Sequence, residues 1–341
     1  MVDVTAIPDF DSLSPVGDLP QGCVWGLFDQ NGTKDRVGCL NLLTEDVVRE
    51  ACKLARDGVS ISLNWPLGAF KIPPFGRIGL AHNVHAFKDT PFNVHAFEDE
   101  VSFNTQGSSQ WDSLVHFGHQ ATGLAYNGAA PSQQALLQHS DHRSSMPTLE
   151  HWHDRGCLVG RGVLLDYRAW ASATGRKYNC FESHTISIQD LVAIAKHQGT
   201  RLRTGDILLI RSGYTEDLSA VNGEEQQKLL TTGRAIGVEG TVEAARWMWN
   251  HHFSAVAGDM IAFEVLPPLV ASENNREGGT RDLVLHQYFL SFMGLHIGEL
   301  WDLKALGEHC QKVGRYEFLL TSTPLNVPGL VGSPPNAVAI F

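Results

Sequence analysis

The sequence predicts one α/β domain built on a mixed, strongly curved sheet with helices packed outside it. Stretches with the apolar patterns of strands alternate with stretches that have helical periodicity. The helical stretches are too few for a regular doubly wound sheet. Of the 341 residues, 43% are hydrophobic and 18% are charged, which suits a globular core and excludes a disordered chain. No linker, composition break or internal repeat is recognised, so we expect a single domain over residues 1–341.

Capping residues and apolar patterns place the elements along the chain. Thr44 can cap a helix that Gly58 would stop. Ser187 opens a second helix, with Asp190 as a capping-box partner and Gly199 as its end. A third helix is predicted over 240–250, and strands over 59–64, 162–167, 206–211, 254–258, 316–321 and 337–340. Residues 1–45 are rich in turns and are predicted to wrap around the domain surface.

Charge, cysteine content and hydropathy narrow the classes of function. The chain has 26 Lys and Arg against 37 Asp and Glu, and this net charge of −11 disfavours a nucleic-acid partner. We expect neither a signal peptide nor a membrane span, because no apolar stretch has the required length or flanks. The six cysteines are scattered without a CxxC pair, which favours reduced thiols and a cytoplasmic location.

Several common catalytic motifs are absent from the sequence. No GxSxG elbow is present, which disfavours an ordinary serine α/β-hydrolase. HExxH, the P-loop and GxGxxG are also missing, and the last absence argues against a dinucleotide enzyme.

A dense polar cluster occupies residues 104–123, which read NTQGSSQWDSLVHFGHQATG. If the chain is extended from Trp111 to Phe117, one face carries Gln110, Asp112, Leu114 and His116. A carboxylate, an imidazole and a carboxamide on one face could form a metal site or an acid/base pair. A satisfied polar network under a loop would give the same pattern.

The segment SSQWDSLVHF within this cluster resembles the cyclase-family signature His-x-Gly-Thr-His-x-Asp-x-Pro-x-His, with substitutions. Gln106 and Gln110 take the places of the first two histidines. The aspartate, proline and final histidine of the signature correspond to Asp112, Leu114 and His116. The resemblance covers roughly residues 55–341 and continues in RSGY at 211–214, in AVAGD at 255–259, in His286 and Glu299, and in the tail 324–341.

The resemblance implies a fold, a reaction class and an assembly. The family has a swivelling β/β/α fold, and its best-known members are the bacterial kynurenine formamidases. Characterised members hydrolyse amides or cyclic amides, such as formylkynurenine and isatin, with zinc or manganese. We therefore expect a hydrolase that cleaves an amide, lactam or lactone bond of a small aromatic metabolite. The glutamine-substituted form resembles a branch with many fungal members, and a homo-oligomer, dimer or tetramer, is implied by the family.

The two glutamines alter the metal set that the resemblance implies. In dinuclear family members one metal uses both motif histidines and the aspartate, and the other uses the aspartate with a C-terminal histidine and glutamate. An amide oxygen is a far weaker zinc ligand than imidazole. The resemblance therefore implies one divalent metal, Zn²⁺ or Mn²⁺, held by Asp112, His286 and Glu299, or a site that has lost its metal. His286 is preferred to His296 because the family places this histidine about a dozen residues before the glutamate.

Roles are predicted for the remaining polar and aromatic candidates. His116 is the expected general acid/base, and Asp112 shares in catalysis by orienting groups at the site. Substrate contacts are predicted for Gln106, Gln110, Trp111, Tyr126 and Asn127, the last two of which also suit a type I′ turn. Weaker candidates are Asp259 and Glu264, Arg77 and His82 in a covering loop, and the aromatic residues Trp25, Phe70, Phe75 and Phe117.

Two other functions stay open at this stage. A metal-independent dehydratase or cyclase of secondary metabolism would use His116 as its acid/base, and the two glutamine substitutions motivate it. A non-catalytic binding protein on an enzyme scaffold is the third interpretation. In the two enzyme hypotheses the partner is a small-molecule substrate.

Overall fold

The structure, a computed structural model, describes residues 6–140, 143–270 and 276–341. The first five residues of the predicted N-terminal extension lie outside these ranges. Within them, nine strands form a strongly curled mixed sheet with helices packed around it. The predicted fold class is therefore confirmed.

The strands follow the chain in short segments, several of which form small two-stranded sheets. They are β1 Ser60–Ser62, β2 Ala81–Ala86, β3 Phe97–Ser102, β4 Gln110–Asp112, β5 His139–Ser140, β6 Arg143–Ser144, β7 Leu158–Asp166, β8 Thr185–Ile186, β9 Ile207–Arg211, β10 Gly237–Val238, β11 Ala255–Gly258, β12 Leu269–Val270, β13 Arg276–Glu277, β14 His296–Glu299, β15 Glu317–Ser322, β16 Gly332–Ser333 and β17 Ala337–Ile340.

Helices occupy most of the connections between the longer strands. They are α1 Glu45–Cys52, α2 Gln133–Leu137, α3 His151–Asp154, α4 Tyr167–Ala173, α5 Ile188–Gln198, α6 Tyr214–Ser219, α7 Gly223–Thr231, α8 Val242–Asn250, α9 Val284–His286 and α10 Lys304–Val313. A π-helix, Gln287–Met293, continues directly from α9.

The main sheet has the strand order β1-β17-β15-β7-β9-β11-β14-β4-β16. Its centre, β7-β9-β11-β14, is parallel, and the pairings on both sides of that centre are antiparallel. In β9, Leu208 and Ile210 enter one hydrophobic core, whereas Ile207 and Leu209 enter a second one. Both faces of the centre are therefore buried, as is usual for parallel strands.

The local signals in the sequence identify most of these elements. The Thr44 hydroxyl accepts from the backbone N–H of Val47 at the start of α1. Ser187 and Asp190 form the full capping box of α5, and Gly199 ends that helix in the left-handed conformation. The stop predicted at Gly58 is too late, since α1 ends at Cys52.

The described part of the N-terminal segment packs across α8 and the π-helix. The backbone N–H of Phe10 donates to the Asn250 side chain over 2.7 Å, and the Phe10 ring is buried. The Trp25 indole donates to the carbonyl of Ser291. These contacts cover helix surfaces that would otherwise expose apolar residues.

Strands β2 and β3 form a hairpin, residues 81–102, whose side chains are almost all exposed. The pentapeptide Asn-Val-His-Ala-Phe occurs twice in it, at 83–87 and 93–97. The expectation of no internal repeat is therefore wrong at this short range. One face of the hairpin carries Val84, Phe97 and Val101, which no described residue covers.

The structure contains no helix, among the residues it describes, with the length and apolar character of a membrane span.

The buried side chain of Asp259 stabilises the turn that follows β9. Its carboxylate accepts hydrogen bonds from the Ser212 backbone N–H and hydroxyl, both over 2.7 Å, and from the Gly213 N–H over 2.6 Å. Burial raises the pKa of this carboxyl to about 6, against the opposing effect of these donors. Asp259 therefore holds the fold together between β9 and β11.

We expect Asp259→Asn to lower the free energy of unfolding by about 2 kcal/mol, because an amide NH₂ would face a buried N–H donor. Chemical denaturation at pH 7 measures this, with Asp18→Asn on the exposed surface as the matched control. Equal denaturation midpoints for the two variants would show that Asp259 does not stabilise the turn.

Candidate active site

The site is located where β4 pairs with the end of β14. The antiparallel register places Gln110 opposite Glu299 and Trp111 opposite Gly298. Glu299 ends β14, so the site lies at the carboxyl edge of the parallel centre. Ligands of open α/β sheets usually bind at this edge.

The chain turns immediately after β4 and is not extended as far as His116. The backbone N–H of His116 donates to the carbonyl of Ser113 over 3.0 Å, which closes a turn. The predicted single face from Gln110 to His116 is therefore wrong. Leu114 packs in a hydrophobic core, whereas the turn carries His116 back toward Asp112.

Two glutamine amides hold two buried carboxylates. The Gln106 NH₂ donates to Asp112 Oδ1 over 2.7 Å, and the Gln110 NH₂ donates to Glu299 Oε2 over 2.8 Å. An ionised carboxylate only accepts, so each amide directs its NH₂ and not its carbonyl oxygen to the ionised form. Gly332 makes this packing possible, since a Cβ there would lie 2.4 Å from Nε2 of Gln106.

His286 lies between two glutamates. Its Nδ1 is 2.8 Å from Glu264 Oε1, and its Nε2 is 3.3 Å from Glu299 Oε1. Glu264 also accepts from the backbone N–H groups of Val284, Leu285 and His286, at the start of α9. Glu264 thus fixes both the helix start and the imidazole ring, with Nε2 directed to the site.

Asp112, His286 and Glu299 are all buried and have ligand atoms within 4.8 Å of one another. Asp112 Oδ2 and Glu299 Oε1 have no hydrogen-bond partner in the described residues, although Glu299 Oε1 lies near His286. Buried carboxylate oxygens without a donor are costly. Two carboxylates and one imidazole with these free atoms fit a divalent cation.

The charges at this cluster shift the pKa values of its members. Burial, followed by the nearby Asp112 carboxylate, raises the pKa of Glu299 to about 7. Burial opposes the charged form of His286, but the carboxylates of Glu264 and Glu299 outweigh it and raise the pKa of His286 to about 10. The unloaded cluster therefore holds protons that a bound cation would replace.

A cavity of about 330 Å³ opens onto His286 and Glu299. His116 and Arg77 also line it, and its apolar wall consists of Phe75, Phe117, Ile261, Ala262, Leu266 and Leu283. The Phe117 ring meets the His286 imidazole edge-on, with 5.4 Å between centroids. The volume and the apolar wall suit a small aromatic molecule.

His116 lines this cavity with its Nε2 3.9 Å from Asp112 Oδ1. Burial lowers the pKa of His116, and the Asp112 charge only partly offsets this effect. The imidazole is therefore neutral at pH 7 and has a lone pair available for a proton.

Three residues that the sequence predicts to contact the substrate are not among those that line the cavity, so these predictions are corrected. Trp111 points to the opposite face of β4, where its indole donates to the Ser322 hydroxyl in the second core. The buried Tyr126 donates to Asp35. Asn127, at φ 56° in a tight turn, bonds to Asp29. Strand alternation explains the first placement, and the need to anchor the N-terminal segment explains the other two.

His296 lies on the face of β14 opposite to Glu299. Its Nδ1 is 3.0 Å from the Asp112 carbonyl, and its ring packs edge-on against Trp152. Burial lowers its pKa to about 4. The structure thus brings His286 and not His296 to the carboxylates. Trp25 and Phe70 pack with the first core, and neither lines the cavity among its described walls.

Sequence reasoning undervalued two residues of the site. Glu264 and Arg77 were only weak candidates, because their roles depend on contacts with residues distant in sequence. Glu264 reaches His286 twenty-two positions later, and Arg77 reaches the Gln106 carbonyl. No local pattern marks either contact.

Comparison with known proteins gives one family match. The family model described as "Putative cyclase" matches residues 60–265. No curated protein matches the chain.

Solved structures with this fold include a novel cyclase at 27% identity and TM-score 0.76, covering 93% of this chain and 99% of that one. Isatin hydrolase A from Labrenzia aggregata, bound to benzyl benzoate, shares 13% identity at TM-score 0.55, covering 88% and 98% of the two chains. Isatin hydrolase A from Ralstonia solanacearum shares 14% identity at TM-score 0.53, covering 91% and 99%.

We expect cation binding to release more than one proton near pH 7, since His286 is protonated there and Glu299 is partly so. Affinity should fall as the pH is lowered. Calorimetric titration with Mn²⁺ in buffers of different ionisation enthalpy measures the proton release.

Glu264→Gln removes a charge that raises the pKa of His286, so fewer protons should be released, and affinity should fall about 10- to 100-fold. Glu308→Gln, on the exposed face of α10, is the control. Proton release that is unchanged in the Glu264 variant would contradict this arrangement.

Proposed function

The chain belongs to the cyclase family, and on that premise we propose that it is a hydrolase of amide, lactam or lactone bonds in a small aromatic metabolite. The observation that carries the proposal is the convergence of Asp112, His286 and Glu299 beside a largely apolar cavity that His286 and Glu299 line. Buried carboxylate oxygens without donors at such a place suit a reaction centre better than a structural core.

We propose that these three residues hold one divalent cation, Zn²⁺ or Mn²⁺. When bound, such a cation polarises a carbonyl oxygen and lowers the pKa of water. Gln106 and Gln110 donate their NH₂ groups to the carboxylates, so they act as positioning residues for Asp112 and Glu299. Their amide oxygens are weak zinc ligands, which supports one cation and not two.

His116 is the proposed acid/base. The residue lines the cavity, and its neutral imidazole, with Nε2 3.9 Å from Asp112 Oδ1, can take a proton from water as the oxygen adds to the carbonyl carbon. The same nitrogen then gives the proton to the leaving nitrogen or oxygen. The Asp112 carboxylate stabilises the imidazolium that forms between these two steps.

The walls of the cavity support an aromatic substrate. Phe75 and Phe117 provide ring faces or edges, and Ile261, Leu266 and Leu283 complete an apolar surface. A substrate whose aromatic ring binds there would direct its carbonyl group toward His286 and Glu299.

Assembly and location are proposals of the same kind. We propose a homo-oligomer, dimer or tetramer, because the hairpin 81–102 exposes Val84, Phe97 and Val101 on one face. Light scattering on the purified protein reports the copy number.

A cytoplasmic location fits six cysteines that all are free thiols.

The proposal is tested by metal content and turnover in the same samples. Untagged protein purified without chelator is analysed for elements and assayed with isatin, formylkynurenine and dihydrocoumarin. We expect about one zinc or manganese per chain and hydrolysis of at least one probe. Asp112→Ala should lose the metal and reduce turnover at least about 100-fold, whereas the exposed Asp18→Ala should change neither.

Turnover that is unchanged in Asp112→Ala would contradict the proposal. Metal-free protein that converts substrate through His116 without hydrolysis would instead support the dehydratase or cyclase alternative.

A further inference from the structure

Arg77 is the one cation of the cavity wall that lies beside the carboxylate cluster without pairing to it. In the described ranges Arg77 forms no ion pair within 4.0 Å. The charges of Glu299 and Asp112 still favour its protonated form, against the larger effect of burial on its pKa. Its Nη1 donates to the Gln106 carbonyl over 2.8 Å. Nε and Nη2 have no partner among the described residues, so at least two donors remain for a bound molecule.

A tight turn directs this side chain inward. The Arg77 backbone N–H donates to the Pro74 carbonyl, and the two central residues, Phe75 and Gly76, have φ of 62° and 68°. A left-handed conformation is unfavourable for a phenylalanine, and such strain concentrates at functional sites. The turn leaves Phe75 exposed while Arg77 is half-buried, with the guanidinium 4.9 Å from the Phe75 ring centroid.

We propose that Arg77 binds the carbonyl oxygen of the scissile group and then the product carboxylate; this inference rests on the proposed function. Its vacant donors and the acid/base His116 line one cavity with His286 and Glu299. The substrate class is therefore an acyl compound whose hydrolysis leaves an aromatic or aryl-linked carboxylate.

The chemistry of hydrolysis explains why the positively charged guanidinium of Arg77 would help at the carbonyl oxygen. Water adds its oxygen to the carbonyl carbon, and the carbonyl oxygen becomes an anion. The C–N or C–O bond then breaks, one water proton goes to the leaving atom, and the other is released when the acid ionises. A guanidinium at that oxygen interacts more strongly with the anion than with the neutral carbonyl, so it accelerates the reaction.

Burial strengthens the case for a ligand at Arg77. A half-buried guanidinium without a carboxylate partner loses part of its hydration at a cost, and this partial burial lowers the pKa of Arg77. The flexible Arg side chain could avoid this cost by turning to solvent, yet the turn and the Gln106 carbonyl retain it in the cavity.

The test uses benzoate as a product-like anion and benzamide as its neutral counterpart, titrated into Mn²⁺-loaded protein. Arg77→Met should weaken benzoate binding at least about tenfold and benzamide binding less than about twofold. Arg77→Lys keeps the charge but loses the planar pair of donors, so its loss should be smaller. Arg56→Met, on the exposed surface, is the matched control and should bind as the parent protein does.

With any hydrolysed probe, Arg77→Met should lower kcat about 100-fold or more while KM changes little. Circular dichroism and Arg77→Lys guard against a folding defect. Benzoate binding that Arg77→Met leaves unchanged, or a parent protein that does not bind benzoate, would overturn the inference. If Arg77→Met weakens benzoate binding but the parent protein hydrolyses none of the probes, Arg77 is still an anion-binding residue. That result would overturn the hydrolase proposal alone.

Discussion

The structure depends on two carboxylates, Asp112 and Glu299, that are buried close together. Burial and the charge of the neighbouring Asp112 carboxylate both disfavour the ionised form of Glu299, and they raise its pKa to about 7. The neighbouring groups compensate with amide donors from Gln106 and Gln110 and with the imidazole of His286. Asp112 Oδ2 still lacks a donor among the described residues, and a divalent cation would supply the missing positive charge.

Each compensating group is held by a specific feature of the fold. The antiparallel pairing of β4 with β14 places Gln110 beside Glu299. Gly332 on β16 leaves space for the Gln106 amide. Glu264 secures His286 by accepting three backbone N–H groups at the start of α9. The sheet therefore positions the carboxylates, and the helix that packs beside it supplies the imidazole.

Elements with local signals were predictable, and contacts made by distant residues were not. The capping box at Ser187 and the apolar run of β9 follow from a few adjacent residues, so sequence patterns identify them. The resemblance pointed to Asp112, His286 and Glu299, which the structure brings together. Periodicity alone mistook the turn after Asp112 for a strand. The prediction that Trp111 contacts the substrate ignored the alternation of the same strand, which directs its indole into the second core. A three-residue strand is too short to show its own period.

The central claim is that one divalent cation binds through His286 together with Asp112 and Glu299. Pulsed EPR on Mn²⁺-loaded protein, recorded above the Kd of each variant, tests it most directly by detecting nitrogen bound to the metal. The account predicts coupling to one imidazole nitrogen that is lost in His286→Gln and retained in His116→Gln. Absence of nitrogen coupling in the parent protein, or coupling that persists in His286→Gln, would contradict it.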